Sequence, residues 1–572
     1  MKRLVSFFVL LFLISQSLFS QINFVENAAA LGVGVSTGDT YLGNGISFYD
    51  YNNDGWDDIT LPTDAGSDVR FFKNVNGTFV EEFLNIPSTN FEQKQINWVD
   101  FDNDGDNDLF VTGEDDGNKL YENDGSFNFT DITVTAGFPN YATKTYGASW
   151  GDFNNDGFLD VFLSTRDGTY TYANMLFQNN GNGTFTDVSV VAGVSVSTLS
   201  FCSVFFDYDN DGWQDLYIAN DKPYTSNLLY RNNGNGTFTD VSAASGTNIF
   251  MDAMSTTLGD FNNDGWFDLY IANSPVGNVL YKNNADGTFT DIAASSGTLT
   301  NSFCWSAVFL DAENDMDLDL YVSSSYDSDN APFLPSAFFE NNNNETFNMP
   351  SGVGFVGDDG ESYSNAIGDI HNDGLPDLVV SNIDNESVYL FENLTTTTNN
   401  WLKVNLEGTT SNRDGVGSVI EISTSGNKQF RYTLNGEGYL GQNSKTQFFG
   451  LGSNTTIDYV KVTWLSGIVD IHYNISANQS IGITEGSDTL SSEQNSYVKT
   501  RVFPNPVKDV LNINSTQQLL SYDIFDILGK NLMTKSVYSN YVEIDLSNLP
   551  SGIYILRYLT EDKQVVKKIF KE

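Results

Sequence analysis

One nine-residue pattern, D-x-[DN]-x-D-G-x-x-D, recurs seven times and supplies most of the residues able to do chemistry in this sequence. Its oxygen-bearing positions 1, 3, 5 and 9 are Asp50, Asn52, Asp54 and Asp58 in the first copy and Asp100, Asp102, Asp104 and Asp108 in the second. The third and fourth copies give Asp152, Asn154, Asp156 and Asp160, then Asp207, Asp209, Asp211 and Asp215. The fifth gives Asp260, Asn262, Asp264 and Asp268, and the sixth Asp311, Glu313, Asp315 and Asp319. The seventh keeps Asp369, Asp373 and Asp377 but has His371 at position 3. Alternate residues of a tight loop point inward, so their oxygens converge. Gly at position 6 permits the sharp turn, and the carbonyl of position 7 can face the same point. Ca²⁺ takes roughly six to eight oxygens at about 2.3–2.6 Å, whereas Mg²⁺ demands a small, water-rich octahedron. The expected cofactor is therefore Ca²⁺, at up to seven sites.

Two copies depart from the pattern. The sixth has Met316 in place of Gly and Glu313 at position 3, and a hard cation does not favour the imidazole of His371 in the seventh. Both are expected to be weak or empty. The aromatic residues at position 7 (Trp56, Phe158, Trp213, Trp266) read as rings that pack between blades while their carbonyls face the metal.

The elements that must position these loops are short strands. The copies start 50, 52, 55, 53, 51 and 58 residues apart, and a period near 50 signals a propeller or repeat array. Each nonapeptide runs into a β-type segment such as DLYIAN, then a second such as LLYRN, then a third, GNGTFTDVS, introduced by an NG turn. About four strands per repeat make one propeller blade. The expected fold is all-β: a seven-bladed β-propeller over 21–398, followed by two small β-sandwich domains. The seventh repeat lacks a GTFTD-type strand after YLFEN (389–393). Residues 22–33, INFVENAAALGV, resemble GTFTDVSVVAGV (183–194) and are expected to supply it.

Composition narrows the function. The 572 residues carry 27 Lys+Arg against 74 Asp+Glu, a net of −47. Residues 21–398 hold 9 basic and 57 acidic residues, 9 − 57 = −48, while 399–498 and 499–572 are near balance. Phosphate recognition needs a Lys/Arg footprint, so no nucleic-acid partner is expected. With 2 Cys and 2 His, zinc clusters and disulfide scaffolds are excluded; Cys202 and Cys304 read as free, buried thiols. Residues 1–20 read as a signal peptide: Lys2 and Arg3, an apolar run over 4–14, and a cleavage site near Ser20/Gln21. No other run of that length exists, so no transmembrane segment is expected in the mature chain.

The first five positions of the nonapeptide resemble an EF-hand loop, without its Glu at position 12 or its flanking helices. The nonapeptide, the strand after it and GNGTF together resemble FG-GAP or VCBS-type repeats of integrin-like propellers, over about 22–395. That resemblance implies one Ca²⁺ per loop, with the loops on one face of the ring. The segments NNWLKVNLEGTTSNRDGVGSVIEI (399–422), RYTLNGEGYLGQNSKTQFFGLG (431–452) and VKVTWLSG (460–467) look like the ASPIC/UnbV module of cartilage-acidic-protein-like chains, assigned to 399–485. Within it, Arg413 and Asp414 read as a turn held by a local ion pair. A polar linker (486–500) leads to 501–572, which resembles the type A C-terminal sorting domain of type IX secretion at Pro504, Asn505, Pro506, Gly529, Gly552 and Tyr554. This implies passage across both membranes, with the type IX machinery as a partner, to the cell surface or the extracellular space.

The leading functional expectation is an exported, calcium-binding adhesion or binding module for a glycan or an extracellular protein. The alternative is a polysaccharide lyase or hydrolase built on the propeller; no catalytic residue is assigned. Candidate ligand contacts are Tyr170, Tyr172, Tyr224 and Phe333, on long loops rich in aromatic residues.

Overall fold

The computed structural model describes residues 21–572 except 88, 90, 276, 326–334, 356–357, 488–499, 504–505, 527–529, 561–563 and 572. The leader, Phe333, and the sorting-motif residues Pro504, Asn505 and Gly529 lie outside the described residues. The chain divides into two compact units, Met1–Asp488 and Thr489–Glu572.

The chain is all-β. Helix among the described residues is confined to single turns such as Ser189–Ala192, which ends on Gly193 in the left-handed region at φ 82°. Each of the seven repeats forms its own antiparallel sheet of four strands. In the third repeat the order is Thr145–Gly151, Asp160–Thr165, Met175–Asn179 and Phe185–Asp187, with the nonapeptide linking the first strand to the second. First strands such as Gln93–Val99, Ser200–Phe206 and Cys304–Leu310 are buried along their whole length, because neighbouring sheets cover both faces. Successive first strands pack on one another, and Ile46–Tyr49 packs on Ser362–Gly368, so the series closes on itself. Large aromatic side chains fill the wedges between sheets: Trp98 stacks on Tyr51 at 4.8 Å and Trp150 meets Phe110 edge-on at 5.3 Å. Cys202 and Cys304 are free and buried.

The last sheet takes its fourth strand from the other end of the chain, as the resemblance of residues 22–33 to 183–194 requires. Phe24–Glu26 pairs antiparallel with Tyr389–Asn393, setting Phe24 opposite Asn393 as Phe185 lies opposite Asn179. Both chain ends of the ring therefore sit in one sheet, which leaves no open seam.

Residues 400–485 form two further sheets. One joins Asn400–Glu407, Gln447–Gly452 and Gln479–Thr484; the other joins Val419–Thr424, Asn427–Tyr432, Thr456–Thr463 and Val469–Ser476. They share a core that includes Leu402, Ile420, Phe449, Val462 and Trp464. The segment between Tyr432 and Gln447 leaves these sheets and enters the centre of the ring. Gly441–Gln442 pairs parallel with Ile46–Ser47. Trp150 N–H donates to the Asn435 carbonyl at 3.0 Å and Gly438 N–H to the Thr256 carbonyl at 3.1 Å. The Gln442 side chain accepts from Trp98 N–H at 2.9 Å and donates to its carbonyl at 2.8 Å. Tyr439, fully buried, packs between Phe201 and Trp305.

In the second unit, hydrogen bonds join all five strands into one sheet, where two stacked sheets were expected. The long strands Val510–Asp526 and Asn531–Asp545 allow this. The first half of Val510–Asp526 pairs with Thr500–Phe503 and its second half with Gly552–Thr560. Leu511, Ile513, Ile524, Ile544 and Leu556 form its core.

Candidate metal centre

The nonapeptides adopt one geometry seven times. The N–H of position 5 donates to one oxygen of the position 1 carboxylate, as from Asp156 to Asp152 at 3.0 Å. The N–H of position 6 donates to the other, as from Gly157 at 2.8 Å. Position 4 is always Asn with positive φ, from 55° at Asn53 to 64° at Asn103, and position 6 follows at 84–101°. In the sixth loop Met316 holds this conformation at φ 87°, and its N–H still reaches Asp311 at 2.9 Å. The Met side chain therefore leaves the loop geometry intact, at a cost in backbone strain.

The acidic groups suit a cation. Three side chains converge within 4.8 Å in Asp100–Asp102–Asp108, in Asp207–Asp209–Asp215 and in Asp311–Glu313–Asp315. The sixth loop, expected to be weak, is thus among the most complete. The first, third and fifth loops have an amide oxygen at position 3 in place of one carboxylate. Burial, reinforced by neighbouring carboxylates, pushes Asp58 up to about 9, Asp100 to about 8 and Asp152 to about 7. Asp108, Asp160, Asp215 and Asp268 are held well above the usual carboxylate range, chiefly by burial. Oδ2 of Asp108, Oδ1 of Asp209, Oδ2 of Asp268 and Oε2 of Glu313 are buried without a hydrogen-bond partner. Clustered carboxylates in that state are destabilising until a cation neutralises them, so the donor set fits a hard divalent ion.

Two sets of Asn side chains tie the loops into the ring, and the sequence pattern alone did not single them out. Asn232, at the end of its strand, donates to the Gln214 carbonyl of its own loop at 2.9 Å and to the Phe153 carbonyl of the preceding repeat at 2.7 Å. Its N–H donates to position 9, Asp215, at 2.7 Å. Asn283, Asn341 and Asn393 repeat the arrangement. The recurring final Asn of LLYRN, VLYKN, AFFEN and YLFEN is the signal that could have revealed them. Position 4 links each loop to the next: Asn103 donates to the Gly157 carbonyl at 2.9 Å and Asn155 to that of Gly212 at 3.0 Å. Asn53 instead accepts from Lys445, and a cleft of about 660 Å³ lies there between the first two loops.

The 400–485 module covers the loop face. Glu485 accepts from the N–H groups of Thr409, Thr410 and Ser411 at 2.8, 2.6 and 2.8 Å, fixing the turn that presents Arg413. Arg413 does not pair with Asp414: its guanidinium meets Glu407 at 2.9 Å and stands 3.8 Å from Asp100, and Oδ2 of Asp414 is buried without a partner. Arg413 N–H donates to Asn103 at 2.9 Å. A Cβ on Gly450 would lie 2.0 Å from Oδ2 of Asp311, so only Gly allows this strand to lie on the sixth loop. Trp213 and Phe158 pack on Gly234 and Gly181, in the turns of their own sheets; the contacts between sheets that packing suggested fall to other aromatics.

At the opposite ends of the strands, Tyr170, Tyr172 and Tyr224 come together. Tyr141 and Tyr172 have centroids 6.4 Å apart, and the hydrogen bond that Tyr170 makes with Tyr224 raises the pKa of Tyr170. Tyr141 is 58% exposed and Tyr224 64%.

The FG-GAP-like repeat family matches residues 50–111, 100–163, 152–218, 207–271 and 260–322. The ASPIC and UnbV family matches 408–490, and the secretion system C-terminal sorting domain 501–572. Cartilage acidic protein 1 of Xenopus tropicalis is 26% identical over 274 residues, covering 45% of this chain and 40% of its own length. The Mus musculus protein of that name is 26% identical over 289 residues, 49% of this chain and 44% of its own length. The Homo sapiens protein is 24% identical over 307 residues, 52% and 46% respectively. The chain thus spans less than half the length of these relatives. A solved extracellular domain of a hybrid two-component system from B. thetaiotaomicron aligns over 97% of this chain and 59% of its own, at 11% identity and TM-score 0.37, too distant to inform the fold.

Proposed function

We propose that this chain, which carries FG-GAP-like repeats, an ASPIC and UnbV domain and a secretion system C-terminal sorting domain, is an exported calcium-binding adhesion module. The sorting domain marks it for the cell surface or the extracellular space. In this reading the ring is a seven-bladed propeller, and the 399–485 domain is a β-sandwich. Ca²⁺ holds the loops by neutralising their carboxylates, and the resulting rigid ring presents a glycan or protein ligand on its other face.

One observation carries the reading: the module covers the metal-loop face, while Tyr141, Tyr170, Tyr172 and Tyr224 gather at the other. Tyr offers a flat apolar face and a hydroxyl at low entropic cost. The test is a glycan and matrix-protein array run with Ca²⁺ and with EDTA, beside a Tyr170→Ala, Tyr172→Ala, Tyr224→Ala variant. Binding lost in the variant, with its melting temperature unchanged, supports the reading. Binding that survives there moves the site elsewhere, and release of sugar from algal or plant polysaccharides would favour an enzyme.

A further inference from the structure

We propose that Lys403 is the resident cation of the seventh loop, which therefore takes no metal. The inference rests on the calcium reading of the other loops. Lys403 Nζ lies 2.9 Å from Oδ2 of Asp369, the position 1 carboxylate, and also donates to Oδ1 of Asn372 at position 4. The Lys403 side chain is 6% exposed and that of Asp369 0%. The ion pair is thus buried, with Lys403 and Asn372 at the wall of the cleft beside the first two loops.

The rest of the loop agrees. His371 stands where the other copies place an oxygen, and its Nε2 meets Glu392 at 2.7 Å, outside the ligand cluster. The Trp401 ring lies against Gly374, and Lys403 Nζ is 5.8 Å from that ring, so the turn is closed over by the strand that carries the lysine. A divalent ion would have to enter beside a buried ammonium, with one of its four side-chain oxygen positions replaced by imidazole.

Among the described residues no other cation pairs this closely with a position 1 carboxylate: the buried Arg431, near Asp260 and Asp311, donates instead to the Phe430 and Phe448 carbonyls. Arg413 remains 3.8 Å from Asp100 with its side chain 41% exposed. Lys73 reaches Asp54 at 2.9 Å from the surface, 37% exposed, where it can swing aside. Lys403 has no such freedom. Its loop belongs to the sheet in which the two ends of the ring pair. The ring is thus fastened to the module at its closing sheet by a contact that calcium does not govern.

The experiment uses the full chain. Crystals soaked in terbium give anomalous peaks at bound-metal positions, and atomic emission after dialysis in Ca²⁺ gives the stoichiometry. We expect peaks in other loops and none in the seventh. Asp369→Asn should leave the stoichiometry unchanged, while Asp207→Asn lowers it by one. Lys403→Met should lower the melting temperature equally in Ca²⁺ and in EDTA. A terbium peak among Asp369, Asp373 and Asp377, or loss of one ion in Asp369→Asn, overturns the assignment alone. Metal in none of the loops overturns the calcium reading and this inference with it.

Discussion

The side-chain amide of Asn372 donates to the main-chain carbonyl of Gly55 at 2.8 Å, across 317 residues of sequence. It is the same bond that Asn155 makes to Gly212 and Asn314 to Gly374, here joining the last loop to the first. The nonapeptide loops are therefore linked by hydrogen bonds around most of the ring. Each bond ends on the main-chain carbonyl of position 6 in the neighbouring nonapeptide.

Chelation should be felt by the whole ring. An ion that binds only the folded state stabilises it by about 2.7 kcal/mol per site at a hundred times its Kd. EDTA should lower the melting temperature of the purified chain by well over 10 °C, and Ca²⁺ should restore it where Mg²⁺ restores it poorly. Calorimetry with each ion in turn is the check, and a melt indifferent to EDTA would sink the metal reading.

The inter-repeat Asn residues should matter more than their polar character suggests. Asn232 is buried, and Asn232→Ala leaves the Phe153 and Gln214 carbonyls without their donor. Such a loss costs about 1–3 kcal/mol. Asn210, exposed, at positive φ and 3.5 Å from the Gly265 carbonyl, is the matched control, and Asn210→Gly, which accepts that φ, should cost a few tenths of a kcal/mol at most. Urea unfolding of the two variants decides the order.

How much of this was legible follows from where the information lies. The nonapeptide and its period fixed the loops, because ligand oxygens and turn residues are local. Closure by Phe24–Glu26 was legible because residues 22–33 copy the fourth-strand sequence. The entry of Asn435–Gln442 into the ring centre was not legible. Gly, Asn and Tyr in that stretch read as an ordinary turn, and their partners Trp98, Trp150 and Ser306 lie more than a hundred residues away. The partner of Lys403 was hidden for the same reason, while the integrity of the sixth loop depended on whether Met316 would accept positive φ.

Gly450 tests the docking of the module on the sixth loop. A Cβ there would also fall 2.5 Å from the main chain of Asn314, so Gly450→Ala cannot be absorbed by a side-chain rotation. Overpacking of this kind costs about 1–3 kcal/mol. The variant should lose thermal stability, and its sixth loop should exchange metal faster. Gly482→Ala, with nothing near its Cβ and no positive φ, is the control without a clash. Stopped-flow chelation of terbium-loaded protein reads the exchange, and equal rates in both variants would argue against docking at Gly450.

The second unit should be dispensable for folding and required for display. Residues 489–572 have their own core around Leu511, Ile524 and Leu556. A chain ending at Thr500 should keep the melting temperature and calcium response of the first unit yet disappear from the cell surface. Surface proteolysis of intact cells with immunodetection checks this, and unchanged display would reject the sorting role.

Glu437 gives the ring centre a pH dependence. Its carboxyl lines an internal cavity of about 80 Å³ and accepts from Asn443, and burial pushes its pKa up to about 7. In the unfolded chain it titrates near the ordinary value of about 4.3. The folded state therefore holds the proton more tightly. The carboxyl is neutral in both states well below about 4.3, and its ionisation penalty on folding grows as pH rises from there to about 7 and is constant above. Stability from this group is present in acid and lost toward neutrality. Glu437→Gln, which keeps the acceptor without the charge, should leave the melting temperature unchanged near pH 4.5 and raise it above pH 7.5. Melts of both proteins at saturating Ca²⁺ across pH 4.5–8.5 separate this from proton competition at the metal loops. A difference between the two that does not widen with pH would show that Glu437 is already neutralised in the folded protein.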